Sequence, residues 1–179
     1  NSTGEGAVVD WLEEWGNEQK LETLREPVFP GRDNISFTIS SGSGPHLLLN
    51  GHTDTVSVAG MSIEPFSGEV SDDRLWGRGA SDMKGPLACM LSALLELRAR
   101  EDWCGTVTVG CVVDEETEFQ GIIKFIEDHE PWDFAVVGEP TNLRVVHGCK
   151  GCLRTIVRVA GQAAHSSEPG QGCNAIVGM

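Results

Sequence analysis

Three short hydrophobic runs, each closed by acidic or histidine-bearing residues, constrain this chain more than any other feature. Leu47-Leu48-Leu49 leads into His52-Thr53-Asp54, Val107 to Val113 into Asp114-Glu115-Glu116, and Phe134 to Val137 into Gly138-Glu139-Pro140-Thr141. A fourth segment, Asp82-Met83-Lys84-Gly85, opens the longest apolar helical stretch. Runs this short, with helical periodicity between them, read as strands of an α/β fold. If the strands are parallel, their carboxyl ends gather along one edge, where open α/β sheets bind ligands. One imidazole and several carboxylates crowded there would repel one another. Divalent cations relieve that repulsion, so the pattern points to a metal centre.

The chain of 179 residues has room for one good core, or for one domain and part of another. Its formal net charge of -14 argues against nucleic acid as a partner, because such binding relies on basic patches. No run reaches the roughly 18 apolar residues that would span a membrane, and no segment reads as a signal peptide. The chain begins at Asn1 and stops at Met179 inside a pattern that looks unfinished, which points to a fragment. Cys89, on the apolar side of a helix, and Cys111, within a strand, read as reduced buried thiols of a cytoplasmic protein. Cys149 and Cys152 have C-x-x-C spacing, but no second pair completes a zinc site and no helix follows for a redox motif.

Along the chain, Val8, Val9, Leu12 and Trp15 form one face of a helix that Gly16 suits to end. A strand through Leu21 and Leu24 follows, then a loop at Pro27, Pro30 and Gly31. Ile35, Phe37 and Ile39 alternate as a half-exposed strand. A turn at Ser41 to Pro45 leads to a buried strand from His46. Residues 56–80 are irregular, with a hairpin around Asp72-Asp73. Met83 to Arg100 is the longest helix. Thr106 to Val113 is a strand, Phe119 to His129 a helix with Ile122, Ile123 and Ile126 inward, and Phe134 to Val137 a strand. Leu143 to Val146 and Leu153 to Val159 read as further strands, and Cys173 to Ile176 as a helix start with Asn174 as its N-cap.

Taken singly, each polar segment has a plain structural use. His52 and Asp54 could belong to a turn, although residues two apart in an extended segment face the same way. His52 could bind a metal through one nitrogen while Asp54 fixes the other, or Asp54 could orient a neighbouring base. Asp82 could serve a helix start, where an acid meets the helix dipole. Adjacent carboxylates at Asp114-Glu115-Glu116 are harder to dismiss. One can bind metal while its neighbour serves as general base, and Glu118 or Glu116 could serve the next helix. Glu139 repeats the theme. His46, His129 and His147 read as structural or solvated. Neither Ser166 nor Ser167 has the setting of a hydrolase nucleophile.

Together the segments resemble the dinuclear zinc amidohydrolases that include acetylornithine deacetylase, succinyl-diaminopimelate desuccinylase, aminoacylases and glutamate carboxypeptidases. The matching stretches are Gly51 to Val56, Gly77-Arg78-Gly79 through Gly85, Asp114 to Glu116, Gly138 to Thr141, Lys150-Gly151, and Ala164 to Ser167 through Asn174-Ala175-Ile176. The Gly-Glu-Pro-Thr and His-Ser-Ser stretches look most like the acetylornithine deacetylase and desuccinylase branch. The resemblance implies an α/β, zinc-peptidase-like catalytic domain, a central mixed sheet flanked by helices, over residues 1–149. It implies the start of an α+β lid, or dimerisation, domain over residues 150–179.

The resemblance also implies roles. His52 and Glu139 would hold one metal and Glu116 the other, with Asp82 bridging. Glu115 would be the general base, and Asp54 would be a supporting partner standing behind the metal ligands. His165 would come from the lid to stabilise an oxyanion, and the Asp82–Met83 peptide would be cis. Two divalent ions are expected, zinc first and cobalt as the alternative. The implied activity is hydrolysis of the amide bond of small N-acylated amino acids or peptides, by a cytoplasmic homodimer joined through the lid. A non-catalytic metal-binding or dimerising relative is the reading from another class. Relatives carry a further histidine ligand and a substrate clamp that have no counterpart here. The chain as it stands is therefore expected to lack activity and to expose Ile156, Val157 and Ile176.

Overall fold

The structure, a computed structural model, describes residues 4–129 and 131–177. The outer limits expected for the two domains, residues 1 and 179, lie outside the described residues. The chain divides into two compact units, which part between Leu143 and Arg144.

In the first unit, α1 (Gly6–Glu18) is followed by β1 (Glu22–Phe29), β2 (Arg32–Ser41) and β3 (His46–His52). A small hairpin of β4 (Glu69–Ser71) and β5 (Arg74–Trp76) comes next, turning at Asp72 and Asp73, both with positive φ. A wide turn (Ala80–Lys84) then enters α2 (Gly85–Arg98), and β6 (Gly105–Val112), α3 (Gln120–Asp128) and β7 (Phe134–Val137) complete the unit.

Five strands form one mixed sheet in the order β1-β2-β6-β3-β7. β6, β3 and β7 are parallel, and β1 and β2 run antiparallel to their neighbours. His52 lies opposite Val112, and Asn50 opposite Val137, so the three parallel strands finish nearly level. The period-2 alternation of the strands divides their side chains between two layers. Ile35, Phe37, Ile39, Val107, Val109 and Cys111 face α1 and α2, where Val9, Leu12, Leu87, Leu91 and Leu94 complete the main core. Leu48 and Val112 face α3, packing on Phe125, Ile122 and Trp132.

Several sequence expectations need correction. Gly16 does not end α1, which runs on to Glu18. A Cβ at Gly16 would lie 2.4 Å from the Phe37 ring and 2.7 Å from the Thr23 hydroxyl, so this glycine lets the helix approach the sheet. Pro27 lies within β1 and not in a loop. β1 is an edge strand, where a missing N–H is tolerated, and the register shifts between Pro27 and Phe29. β2 is not half exposed. Asn34 and Ser36 are as buried as Ile35 and Phe37, because helices cover both faces of the sheet. In α3, Ile123 and Ile126 are exposed and the buried positions are Gly121 and Phe125. Two apolar stripes compete on that helix. A Cβ at Gly121 would fall 2.0 Å from the Val113 carbonyl oxygen, and this contact sets the rotation. Cys89 is exposed, on the side of α2 away from Leu87, Met90, Leu91 and Leu94, whereas Cys111 is buried as expected.

From the boundary onward, the strands expected at Leu143 to Val146 and Leu153 to Val159 do not form among the described residues. β propensity alone does not hold an extended segment, which needs a neighbour to pair with. The pairing seen is a single bridge between Gln162 and Cys173. The expected helix start at Cys173 to Ile176 is a turn, although the Ile176 amide donates to Asn174 Oδ1 at 2.9 Å. Ile156, Val157 and Ile176 are exposed. No described helix is long and apolar enough to cross a membrane.

Candidate metal centre

The level ends of β3, β6 and β7 put their following residues on one edge. His52 is the last residue of β3, Asp114-Glu115-Glu116 follows β6, and Gly138-Glu139 follows β7. Asp82 arrives from the turn before α2. Its backbone departs from helical geometry (φ -124°, ψ 96°), and the Asp82–Met83 peptide is cis, the isomer the resemblance implied. Met83 is fully buried. A Cβ on Gly51 would lie 2.4 Å from the Met83 terminal methyl, and one on Gly138 would lie 3.1 Å from it. The two glycines make room for Met83 beneath the strand ends, and that packing holds the neighbouring Asp82 beside His52.

The carboxylates gather round the His52 ring. Asp82 Oδ1 is 3.0 Å from His52 Nε2, Glu139 Oε1 is 3.7 Å away, and Glu115 Oε2 is 3.8 Å away. Two overlapping groups have ligand atoms within 4.8 Å of one another: His52, Glu115 and Glu139, and His52, Asp82 and Glu116. His52 belongs to both, and Glu115 stands in the first beside Glu139. The resemblance instead divides these side chains into His52 with Glu139, Glu116 alone, and Glu115 as base.

The far nitrogen of His52 is fixed from behind. Nδ1 lies 2.9 Å from the Asp54 carbonyl oxygen and 3.4 Å from Asp54 Oδ1. With acceptors on that side, Nδ1 carries a proton, and Nε2, which faces the carboxylates, is the nitrogen whose proton a metal would replace. The Asp54 carboxylate also receives the Glu115 amide at 3.1 Å and the Glu116 amide at 3.0 Å. One buried residue, through its carbonyl and its carboxylate, therefore sets the imidazole and the loop that bears two of the acids. Lys84 donates to the Thr53 carbonyl at 3.0 Å and ties the Asp82 turn to the end of β3.

The electrostatics follow from this crowding. Burial pushes the Glu115 carboxyl upward; His52 pulls it back, but Glu139, Glu116 and Asp54 add to the rise. Glu139 is raised by burial and by the charges of Asp82 and Glu116, against the pull of His52. Burial would lower His52, but its bonds to Asp54 and the charges of Asp54 and Glu139 outweigh it and raise the imidazole to about 9. Burial would raise Asp54, yet His52 and the amides of Glu116 and Glu115 hold it below the ordinary carboxylate range.

Asp114, the first acid of its triplet, turns away from this group. Its carboxylate takes the Thr117 hydroxyl, the Gln120 amide at 3.3 Å and Arg32 Nη1 at 3.1 Å. The acid at the start of α3 is therefore Asp114, not Glu118 or Glu116. Sequence reasoning passed over Arg32, Glu5 and Asn34. Asn34 bonds the Val113 amide at 3.1 Å and the Gly121 carbonyl at 2.8 Å, and so ties β2 to both ends of the acidic loop. No local motif marks these residues, since their partners lie far along the chain.

His165 belongs to the second unit. Its Nδ1 lies 2.8 Å from Ser167 Oγ and accepts the Ser167 amide at 3.2 Å. That leaves Nε2 as the protonated nitrogen of the neutral ring.

A sheet of this topology, with acids and one imidazole at the carboxyl ends of its parallel strands, defines a metallohydrolase-like catalytic domain. Residues 48–169 match Peptidase family M20/M25/M40, and the chain belongs to that family. It is 34% identical over 177 residues to an acetylornithine deacetylase of Aliivibrio fischeri, covering 97% of this chain and 46% of that protein. It is 36% identical over 173 residues to one from Photorhabdus laumondii, covering 94% and 44%. The chain thus spans about half the length of the curated relatives it matches. Among solved structures it resembles a metallo-carboxypeptidase of Sulfolobus solfataricus, with a TM-score of 0.67 and 23% identity over 75% of this chain and 32% of that one. It also resembles a tripeptidase of Staphylococcus aureus, with a TM-score of 0.63 and 22% identity over 95% and 48%. These likenesses carry the fold.

Proposed function

We propose that the protein to which this chain belongs hydrolyses the amide bond of small N-acylated amino acids with the help of divalent metal ions, most closely in the manner of an acetylornithine deacetylase. The observation that carries the reading is the gathering of His52, Asp82, Glu115, Glu116 and Glu139 at one sheet edge. Burial and mutual repulsion raise Glu115 and Glu139, as expected of a cluster that a cation would relieve. Oxygen and imidazole donors suit zinc, with cobalt as the alternative. His52, Asp82, Glu116 and Glu139 would hold two such ions, which supply Lewis acidity to amide cleavage when bound.

Glu115 takes a proton from the attacking water as its oxygen bonds to the acyl carbon. It passes that proton to the departing nitrogen as the C–N bond breaks. Its upward shift brings it closer to the solution pH at which it must both accept and release a proton. Asp54 keeps the amides of Glu115 and Glu116 in place, so that base and ligand cannot drift apart. His165 offers its Nε2–H to the oxyanion. Residues 1–149 form the catalytic part. Residues 150–179 open a lid, through which two copies pair in the cytoplasm. The free state of all six cysteines suits that compartment.

The test uses the longer protein that carries the family's remaining half. N-acetylornithine, N-succinyl amino acids and dipeptides are assayed in parallel with zinc or cobalt. N-acetylornithine should be the preferred substrate. Preference for the succinylated compounds or dipeptides would move the assignment within the family. Glu115→Gln should cost turnover about 100- to 10,000-fold while metal content is kept, and Glu116→Gln should lose metal. Near-normal turnover in Glu115→Gln would remove the base assignment. Metal binding with no turnover on any substrate would favour a non-catalytic relative.

A further inference from the structure

Outside the five gathered side chains, the most heavily buried charge among the described residues of the first unit belongs to a residue with no place in the chemistry. The Glu5 side chain, just ahead of α1, has 0% of its surface exposed. Both of its oxygens are taken by Arg32, from Nε at 2.6 Å and from Nη2 at 2.9 Å, in the two-pronged geometry that a guanidinium makes with a carboxylate. Arg32 opens β2, and its guanidinium lies over the Phe29 ring at 5.2 Å. Its remaining arm, Nη1, reaches Asp114 Oδ1 at 3.1 Å.

Asp114 is the hinge of the loop that follows β6. Its φ of 69° is strained for a residue with a side chain. That conformation is held by its own bonds. The carboxylate takes Thr117 and Gln120, and the carbonyl accepts the Phe119 amide at 2.8 Å. The next two residues, Glu115 and Glu116, are gripped from the other side by Asp54. A cleft of about 650 Å³ adjoins both grips, lined among others by Glu5, Arg32, Asp54, Glu116 and Thr117.

We infer that Arg32, locked in place by Glu5, is a positioning residue for the loop that bears Glu115 and Glu116, acting through the Asp114 carboxylate. This rests on the metallohydrolase reading only for its consequence in metal affinity, not for the mechanical link. Without the guanidinium, the buried Glu5 and Asp114 carboxylates lose their counter-charge. Leaving a buried charge uncompensated is among the costliest changes a protein can suffer. Asp114 would then be expelled toward water, and its strained backbone would relax. Asp54 alone would hold the two amides. Lysine cannot replace the fork, since its three donors sit on one nitrogen and cannot occupy the separate positions of Nε, Nη1 and Nη2 at once.

Arg25 provides an internal control. It joins Asp10, Glu13 and Asp33 at 2.7 to 2.8 Å in the same hairpin and against the same helix, and these partners lie outside the acidic loop. The experiment measures amide hydrogen exchange of Glu115 and Glu116 in the metal-free 179-residue chain, together with cobalt(II) affinity. Arg32→Met should speed exchange at both amides by about tenfold or more beyond any change in global stability. Arg32→Lys should be intermediate. Asp114→Asn should act like Arg32→Met, which keeps the test open if the latter fails to fold. Arg25→Met should change exchange only as much as global stability changes. Cobalt affinity should fall about tenfold in Arg32→Met and stay at the wild-type value in Arg25→Met.

Unchanged exchange at both amides in Arg32→Met and Asp114→Asn would overturn the inference. So would an equal effect of Arg25→Met, or wild-type cobalt affinity in Arg32→Met where Glu116→Gln abolishes binding. Cobalt binding insensitive to Glu116→Gln would instead remove the metal-site reading. The exchange rates would still decide the mechanical link.

Discussion

Asp54 shows how much one residue can settle. Its carboxylate accepts two consecutive backbone amides, and its carbonyl is the nearest acceptor to His52 Nδ1. It therefore fixes the imbalance between the two ring nitrogens as well as the placement of the acidic loop. Asp54→Asn keeps one acceptor oxygen but turns an amide group toward a donor and removes the charge. Partners of this kind typically govern metal affinity by about 10- to 100-fold. Cobalt titration of Asp54→Asn should show a loss in that range, with the fold intact by circular dichroism. An affinity equal to wild type would mean that the loop is held by other contacts alone. His52, Asp54, Asp82, Glu115, Glu116 and Glu139 all stand out in the sequence because each ends a hydrophobic run or opens a helix. Arg32 and Glu5 do not, because a charged residue beside a turn or ahead of a helix has no local mark of burial. Their pairing spans 27 positions and exists only when the hairpin folds onto α1.

At the level of elements, α3 is the instructive case. Its sequence offers two apolar stripes, and hydrophobic periodicity cannot choose between them. The choice falls to Gly121, which lies against the Val113 backbone where a Cβ would come within 2.0 Å of the carbonyl oxygen. Gly121→Ala should force the helix outward, and overpacking of this kind typically costs about 1–3 kcal/mol. Urea denaturation should report a loss in that range. Gly170→Ala, where a Cβ would meet open space, should leave stability unchanged. Equal stability of Gly121→Ala and wild type would mean that the close approach is not required. The three parallel strands, β3, β6 and β7, were legible because each is a short apolar run bounded by turn residues. Segments of the same composition at Leu143 to Val146 and Leu153 to Val159 form no strand among the described residues, since pairing is a property of two segments and not of one.

The whole molecule can be followed through its cysteines. Cys89, Cys104, Cys149, Cys152 and Cys173 are exposed, whereas Cys111 is buried in β6 at the middle of the sheet. Burial pushes the Cys111 thiol up to about 12. The folded state thus holds this proton more tightly than the unfolded chain does. Its contribution to stability is complete below the ordinary thiol value and is lost as the pH rises through about 12. Alkylation of the native chain at pH 8 should therefore modify five cysteines and spare Cys111, as read by mass spectrometry. In urea, Cys111 should become reactive only with global unfolding. Modification of Cys111 under native conditions at the rate of the other thiols would contradict the placement of β6 at the centre of the sheet.

By itself, the amino-acid sequence determined the α/β class, the order of the elements in the first unit, and the polar segments that meet at the strand ends. These are consequences of hydrophobic period and of turn chemistry, both local along the chain. Only the tertiary structure decided which face of α3 is buried, that both faces of β2 are covered, that Asp114 turns away while Glu115 and Glu116 turn inward, and that Glu5 and Arg32 stand behind them. Each of these depends on a contact between segments distant in sequence, where a close backbone approach or a buried charge leaves a single workable arrangement.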